Sequence, residues 1–284
     1  MAKAEYRKTR LGAAVKARQD RLASSIFSVM GERARSIVKK VKRNYASLVE
    51  AKKLQKAAPA IDELVQHMLD DLGIEDASQD MVDEMTAEMM GIYEQAAQEG
   101  LAQVKLEPTD EITNHLDIKA KEYAEERGAE LVGKKMVDGV LVDNPDADWS
   151  IAETTREELR GTVVDAVEGG WSVDKLEDAI LNSGAFSEPR ALMLARTELA
   201  FAHVAGNVAG WRESGQVTGK RSLLGDLHDH EDECDDNANE GVIPFDATFS
   251  SGDDFPPYHP NCICDVEPVL AEDEPSPDNQ PNEE

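Results

Sequence analysis

The residues best suited to chemistry are gathered in one short stretch near the C-terminal end. All three cysteines, Cys234, Cys262 and Cys264, lie there, together with His228, His230 and His259, three of the six histidines. His228 and His230 stand six and four residues before Cys234, and His259, Cys262 and Cys264 form a second cluster beyond a loop. Two close groups of thiol and imidazole separated by a loop are the donor arrangement of a tetrahedral zinc site. Metal binding would also explain how so Gly/Pro/Asp-rich a segment becomes ordered, because binding free energy then acts as folding free energy. The candidate ligands are His228, Cys234, His259, Cys262 and Cys264, with zinc the expected ion. The spacing is not the usual CxxC…CxxC, so an inert thiol cluster or a disulfide from Cys234 to Cys262 or Cys264 stays open; a reducing compartment would keep the thiols free. Asp226, Asp229, Asp232, Asp235 and Asp236 surround the first group. They suit a hard cation, acid–base work or simply a solvated acidic loop. No GxSxG, P-loop, HExxH or GxGxxG is present.

The elements that must position these groups read mainly as helix. A helix expected over 188–214 carries Arg196, His203 and Asn207, which share one face at about 100° per residue. Its other positions are largely apolar, so this stripe must find partners, as an internal network or as the lining of a site. Upstream, residues 11–56 are rich in Ala, Lys, Arg and Leu; Pro59 interrupts, and Ile61, Leu64, Val65, Met68, Leu69 and Leu72 form an amphipathic stripe ending at Gly73. A third helix over 78–105 lines up Met81, Met85, Met89, Ile92 and Ala96, a stripe that suits core or a partner surface. Thr109 is an expected N-cap, and Ser172 another. Residues 133–148 read as a hinge or hairpin, with Asp138-Gly139 between short apolar runs. After Gly215 helical periodicity stops, and strands or loops are expected to Leu270.

The fold class is therefore mainly α: an extended helical N-terminal region, then a small α+β domain with an irregular C-terminal part that zinc would pin. The divisions expected are a basic arm over 1–57, a helical docking region over 58–132, the hinge or hairpin over 133–148, a domain over 149–270 and an acidic disordered tail over 271–284.

Charge sharpens this division. The 284 residues carry a net −28, yet residues 1–56 hold 16 basic and 4 acidic side chains, +12, which leaves −40 for the rest. The basic end suits nucleic acid or an acidic protein surface, or it neutralises the chain's own acidic body. Arg33, Arg35, Lys39, Lys40, Lys42 and Arg43 are the candidate contacts to double-stranded DNA or a protein partner. Only Tyr6, Phe27 and Tyr45 could stack on bases there, which argues against reading single strands. No apolar run is long enough for a membrane span, and no secretory signal pattern opens the sequence.

Three segments, ARTELAFAHVAGNVAGWRESG at 195–215, HDHEDECDDNANEGVIPFDATF at 228–249 and PPYHPNCICDVEP at 256–268, resemble the phage Mu F-like minor head (head morphogenesis) family. The matching positions are Arg196, Thr197 and Glu198, then His228, Cys234 and Asn237, then His259, Cys262 and Cys264. The resemblance spans about 75 of the 284 residues. Two departures stand out. Ile263 replaces the usual Arg between the last cysteines, and Asn237 stands where some relatives have a second Cys, so any metal must take mixed His and Cys donors. The resemblance implies a minor capsid protein of a tailed bacteriophage, α-helical and not an enzyme. Its implied place is the portal vertex inside the head, after assembly in the host cytoplasm, with a role in procapsid assembly and in DNA packaging or ejection. Portal protein, and major capsid or scaffold protein, are the implied partners. The competing expectation is a metal-dependent hydrolase, nuclease or toxin-related domain using the same His/Cys/Asp cluster.

Overall fold

The computed structural model describes residues 10–53, 58–138, 140–147, 150–225, 228 and 231–271. The expected acidic tail, His230, Asp226 and Asp229 lie outside these residues. The elements are α1 (Arg10–Lys53), α2 (Ala58–Asp70), α3 (Ile74–Gln103), α4 (Asp110–Leu131), β1 (Lys134–Val137), β2 (Val140–Asp143), α5 (Ile151–Gly169), α6 (Val173–Leu181), α7 (Glu188–Ser214), β3 (Val217–Leu223), α8 (Glu233–Asn239), β4 (Val242–Pro244) and β5 (Asp265–Leu270). The chain is mainly helical, with a long N-terminal helix and a small β component, as its periodicity implies. Among the described residues no helix is long and apolar enough to cross a membrane.

Local chemistry accounts for most boundaries. Ser150 accepts from the Glu153 N–H, and Gly170 closes α5 at φ 60°. Ser172 accepts from the Lys175 N–H to open α6, and Thr109 Oγ1 accepts from the Ile112 N–H at 3.2 Å to open α4. Each satisfies a donor left over in the first turn. Residues 133–148 contain an antiparallel hairpin, β1 with β2, whose turn starts at Asp138 with φ 50°. α8, by contrast, arises in a stretch expected as loop. Asp232 accepts from the α8 backbone, and the Asp235 side chain accepts from the Asp232 N–H in return. This reciprocal cap offsets the poor helix propensity of Asp and Asn in so short a helix.

The residues group into two compact units, each drawn from separated parts of the chain. One comprises residues 18–88 and 124–195. It buries Ile26, Met30, Ile37, Val41 and Leu48 of α1, Val65, Met68 and Leu69 of α2, and Leu159 and Val163 of α5. Met81 and Met85 of the methionine stripe are core here. Tyr45 is buried, and its hydroxyl lies 2.9 Å from Ala166 O and 3.0 Å from Trp171 O. Lys52 Nζ donates to Val167 O at 2.8 Å, where the last carbonyls of α5 attract a cation.

The other unit comprises, among the described residues, those of 10–17, 89–123 and 196–271. Here α3 and α7 touch backbone to backbone. A Cβ on Gly206 would sit 2.3 Å from Tyr93 O, one on Gly210 2.2 Å from Ala97 O, and one on Gly100 2.4 Å from Asn207 O. Leu116 and Ala120 of α4 pack with Tyr93, Ala97 and Leu101. Trp211 packs with Val104, Val208, Phe245 and Val266, and its Nε1–H donates to Gln103 Oε1 at 2.9 Å. The sheet has the order β4-β3-β5, all antiparallel. On β3, Lys220 and Ser222 face inward, two residues apart, while Thr218 and Arg221 face out. Lys220 Nζ lies 4.0 Å from the Phe255 ring centroid and 5.3 Å from that of Phe249.

Candidate metal centre

Three pieces of the second unit bring their thiols and imidazoles together: the segment between β3 and α8, which carries His228, then α8 with Cys234, and the turn before β5 with His259, Cys262 and Cys264. Cys234 heads α8 and is fully buried; Cys262 and Cys264 flank Ile263 on the approach to β5 and are also buried. Cys234 Sγ lies 3.3 Å from His259 Nε2 and 3.7 Å from Cys262 Sγ. Donors at about 2.3 Å (sulfur) and about 2.0 Å (nitrogen) from a tetrahedral zinc would be about 3.8 Å and about 3.5 Å apart, so both separations fit the edges of such a tetrahedron. Two triads share Cys234, one with His259 and Cys262, the other with His228 and Cys264; within each, the donor atoms lie within 4.8 Å of one another. These residues are placed to hold a metal ion. All five candidate ligands read from the sequence are brought together, and no disulfide joins the cysteines.

The surroundings favour an ionised Cys262 and oppose ionisation of its two neighbours. Cys264 donates its S–H to Cys262, and the backbone N–H groups of Tyr258 and Cys264 also donate to the Cys262 sulfur. Against the opposing effect of burial, they hold its thiol down at about 5. Cys264 is pushed up, first by that donated bond and then by burial. Cys234 is pushed up by burial and by the Cys262 charge beside it. A cluster in which one thiol ionises readily and its neighbours resist is a cluster short of positive charge, which a divalent cation supplies.

Each histidine has an outer partner. His259 Nδ1 lies 2.9 Å from Pro260 O, the arrangement of a donated N–H, leaving Nε2 as the lone pair that faces Cys234. His228 Nε2 lies 2.8 Å from Asp235 Oδ2, and its side chain is 8% exposed. Hydrogen bonds to a backbone carbonyl and to a carboxylate are how metal-bound imidazoles are oriented. The aspartates are not merely a solvated loop. Asp232 accepts from the Cys234 N–H at 2.8 Å; burial opposes its ionisation, but bonds from the Cys234 N–H and thiol outweigh that and hold it below the ordinary carboxylate range. Asp235 is lowered by its bond from His228 and then by the Asp232 N–H. Composition alone did not single out either role; the D-x-x-D spacing of a cap was the available signal. Gly225 was missed as well. A Cβ there would meet Ile263 O at 2.4 Å, and its N–H donates to the Cys264 sulfur.

The remaining motif residues frame the cluster. Thr197 Oγ1 accepts from the Asn261 N–H at 3.0 Å, fastening α7 to the turn between His259 and Cys262. Asn237 is fully buried, donates to Ser251 Oγ at 3.0 Å and accepts from the Ser251 N–H at 3.3 Å. It therefore pins a loop. Glu198 is buried, and Arg196 is exposed. His203 and Asn207 belong to an internal polar contact: Asn207 Nδ2 lies 3.5 Å from His203 Nδ1, and His203 Nε2 lies 3.6 Å from Glu99 Oε2.

The six basic candidates of α1 divide. Arg33 pairs with Asp80, Lys42 pairs with Glu177, and Lys40 Nζ donates to Leu72 O at 2.7 Å. Arg35, Lys39 and Arg43 are exposed at four-residue intervals, a stripe with about 6 Å of helical rise between successive charges. No protein-family model, curated protein or solved structure matches the chain.

Proposed function

We propose that this chain is a minor head protein of a tailed bacteriophage, a structural component of the portal vertex that acts in procapsid assembly and in DNA packaging or ejection. One observation carries the reading. The three segments that resemble the Mu F-like family, separated by 12 and 6 residues, meet at one centre: Thr197 binds the backbone of Asn261, and Cys234 sits against His259 and Cys262.

In this reading the centre holds zinc through Cys234, Cys262, Cys264 and one histidine. A buried, sulfur-rich donor set is of the structural kind, which ties loops together, and this weighs against the hydrolase alternative. The exposed Arg35, Lys39 and Arg43 stripe suits double-stranded DNA or an acidic face of the portal protein. The portal protein is the principal partner, with major capsid or scaffold protein as further ones, and the site of action is the head interior. The test is quantitative mass spectrometry of purified procapsids and mature particles from an infected host. A low, fixed ratio to the portal protein in both is expected. Absence from both overturns the reading.

A further inference from the structure

The β1–β2 hairpin is built against the usual rule for a strand pair. Its register, Lys135 with Val142, Met136 with Leu141 and Val137 with Val140, sorts the side chains onto two faces. Val137, Val140 and Val142 share one face, and Met136 and Leu141 the other. A hairpin that belongs only to its own domain hides one of these faces. Here all five apolar side chains are exposed, Val140 at 61% and Leu141 at 53%. An isolated two-stranded hairpin is marginal in water, and an apolar one offers its free edge to another strand.

The two edges differ. β1 presents Lys134 and Lys135, the kind of charge that guards an edge against pairing. β2 presents Val140, Leu141 and Val142 without interruption, and its single charge, Asp143, comes last and pairs back to Lys134. The β2 edge is also self-complementary. In an antiparallel pairing centred on Leu141, Leu141 faces its own copy and Val140 faces Val142 of the second copy. Asp143 falls outside this apolar core, so no like charges stand opposite each other.

We propose that β2 pairs edge to edge with β2 of a second copy of this chain, giving a four-stranded sheet in the order β1-β2-β2-β1. The hairpin itself is nearly neutral, whereas each copy carries −28, so repulsion between the bodies opposes the dimer and added salt strengthens it.

The test is sedimentation equilibrium of the full chain and of two variants, Leu141→Lys and Leu141→Glu. Leu141 is exposed, so neither change disturbs the fold, and far-ultraviolet circular dichroism checks this. The wild type is expected to form a concentration-dependent dimer that tightens between about 50 and about 500 mM salt. Each variant sets like charges at the symmetry axis and is expected to weaken dimerisation by about tenfold or more. An equimolar mixture of the two is expected to restore it, because Lys then faces Glu. A wild type that stays monomeric at about 100 μM overturns the proposal, as does a variant that dimerises like the wild type or a mixture that fails to recover.

Discussion

The contact between α3 and α7 makes a prediction whose sign depends on the structure alone. Replacing a glycine inside a helix by alanine normally stabilises it by about 0.8–1.0 kcal/mol, because less backbone freedom is lost on folding. At Gly206 the new methyl would lie 2.3 Å from Tyr93 O and 2.8 Å from the Ala96 Cβ, where ordinary contact begins at 3.4 Å. A backbone carbonyl cannot rotate away, so the two helices must separate by about 1 Å, and overpacking of this kind costs about 1–3 kcal/mol, occasionally more. With the added loss of contact along Tyr93, Ala97 and Leu101, the balance for Gly206→Ala is a net destabilisation of about 2 kcal/mol. Gly161, inside α5, is the control, since a Cβ there meets nothing within 4 Å. Gly161→Ala should stabilise by about 0.5–1 kcal/mol. Native-state hydrogen exchange reads both locally: amides of α7 should exchange about thirtyfold faster in Gly206→Ala, and those of α5 severalfold slower in Gly161→Ala. If both variants slow exchange, the two helices do not touch through their glycines and the steric argument is wrong.

Two further outcomes follow from the buried charges and thiols. The purified protein should carry about one equivalent of zinc. A chelator or Cys262→Ala should release it and open α8 and the turn over 258–264 to proteolysis, while Trp211, packed on Val104 and Val208, keeps its buried fluorescence; undiminished metal in Cys262→Ala refutes the ligand set. Lys220 gives the pH prediction. Burial pushes its ammonium below the ordinary 10.5, with the Asp254 charge opposing. The folded state then sheds this proton before the unfolded state does, so Lys220 costs stability at neutral pH, and the cost fades as pH rises from the lowered value to 10.5. Cation–π contact with Phe255 and Phe249 returns about 2 kcal/mol of a desolvation cost of several. Lys220→Met should therefore gain about 1–2 kcal/mol near pH 7 and lose that advantage toward pH 10.5, in urea melts of both proteins; a destabilised variant at pH 7 would show instead that the cation is needed.

What the sequence reveals and what it hides divide along a physical line. Elements fixed by nearby chemistry were legible: Ser172 opens α6, Thr109 opens α4, and Asp138 starts the hairpin turn. The methionine stripe was legible as an apolar face, and Met81, Met85 and Met89 are buried. α8 was not, because DDNAN has poor helix propensity and its cap uses Asp235 where Glu or Gln is the familiar third residue. The close approach of α3 and α7 was hidden for a different reason. Gly206 and Gly210 look like weak points in a helix until the partner backbone, about 110 residues earlier in the chain, is in place. The count of basic residues in α1 was likewise correct but incomplete. Arg33, Lys40, Lys42 and Lys52 serve the chain's own fold, and only the three-dimensional structure separates them from Arg35, Lys39 and Arg43.

The candidate metal centre lies between these extremes. Cysteine and histidine announce themselves by type, so the five donors could be named from composition and spacing. Their outer partners could not, because Asp232, Asp235, Gly225 and Pro260 acquire their roles from backbone geometry. Asp235 reaches His228 only because α8 forms, and α8 forms only because Asp232 and Asp235 cap it; the same two carboxylates open the helix that carries Cys234 and orient an imidazole beside it. Gly225 admits the Ile263 carbonyl at a distance no side chain would allow, and Ile263 stands between the two cysteines. Directly around the cysteines the apolar packing is limited to Phe249, Tyr258 and the partly buried Ile243, so order there depends on these polar and sulfur contacts. That dependence is why metal loss should unravel α8 and the turn over 258–264 while the core of Trp211, Val104 and Val208 endures.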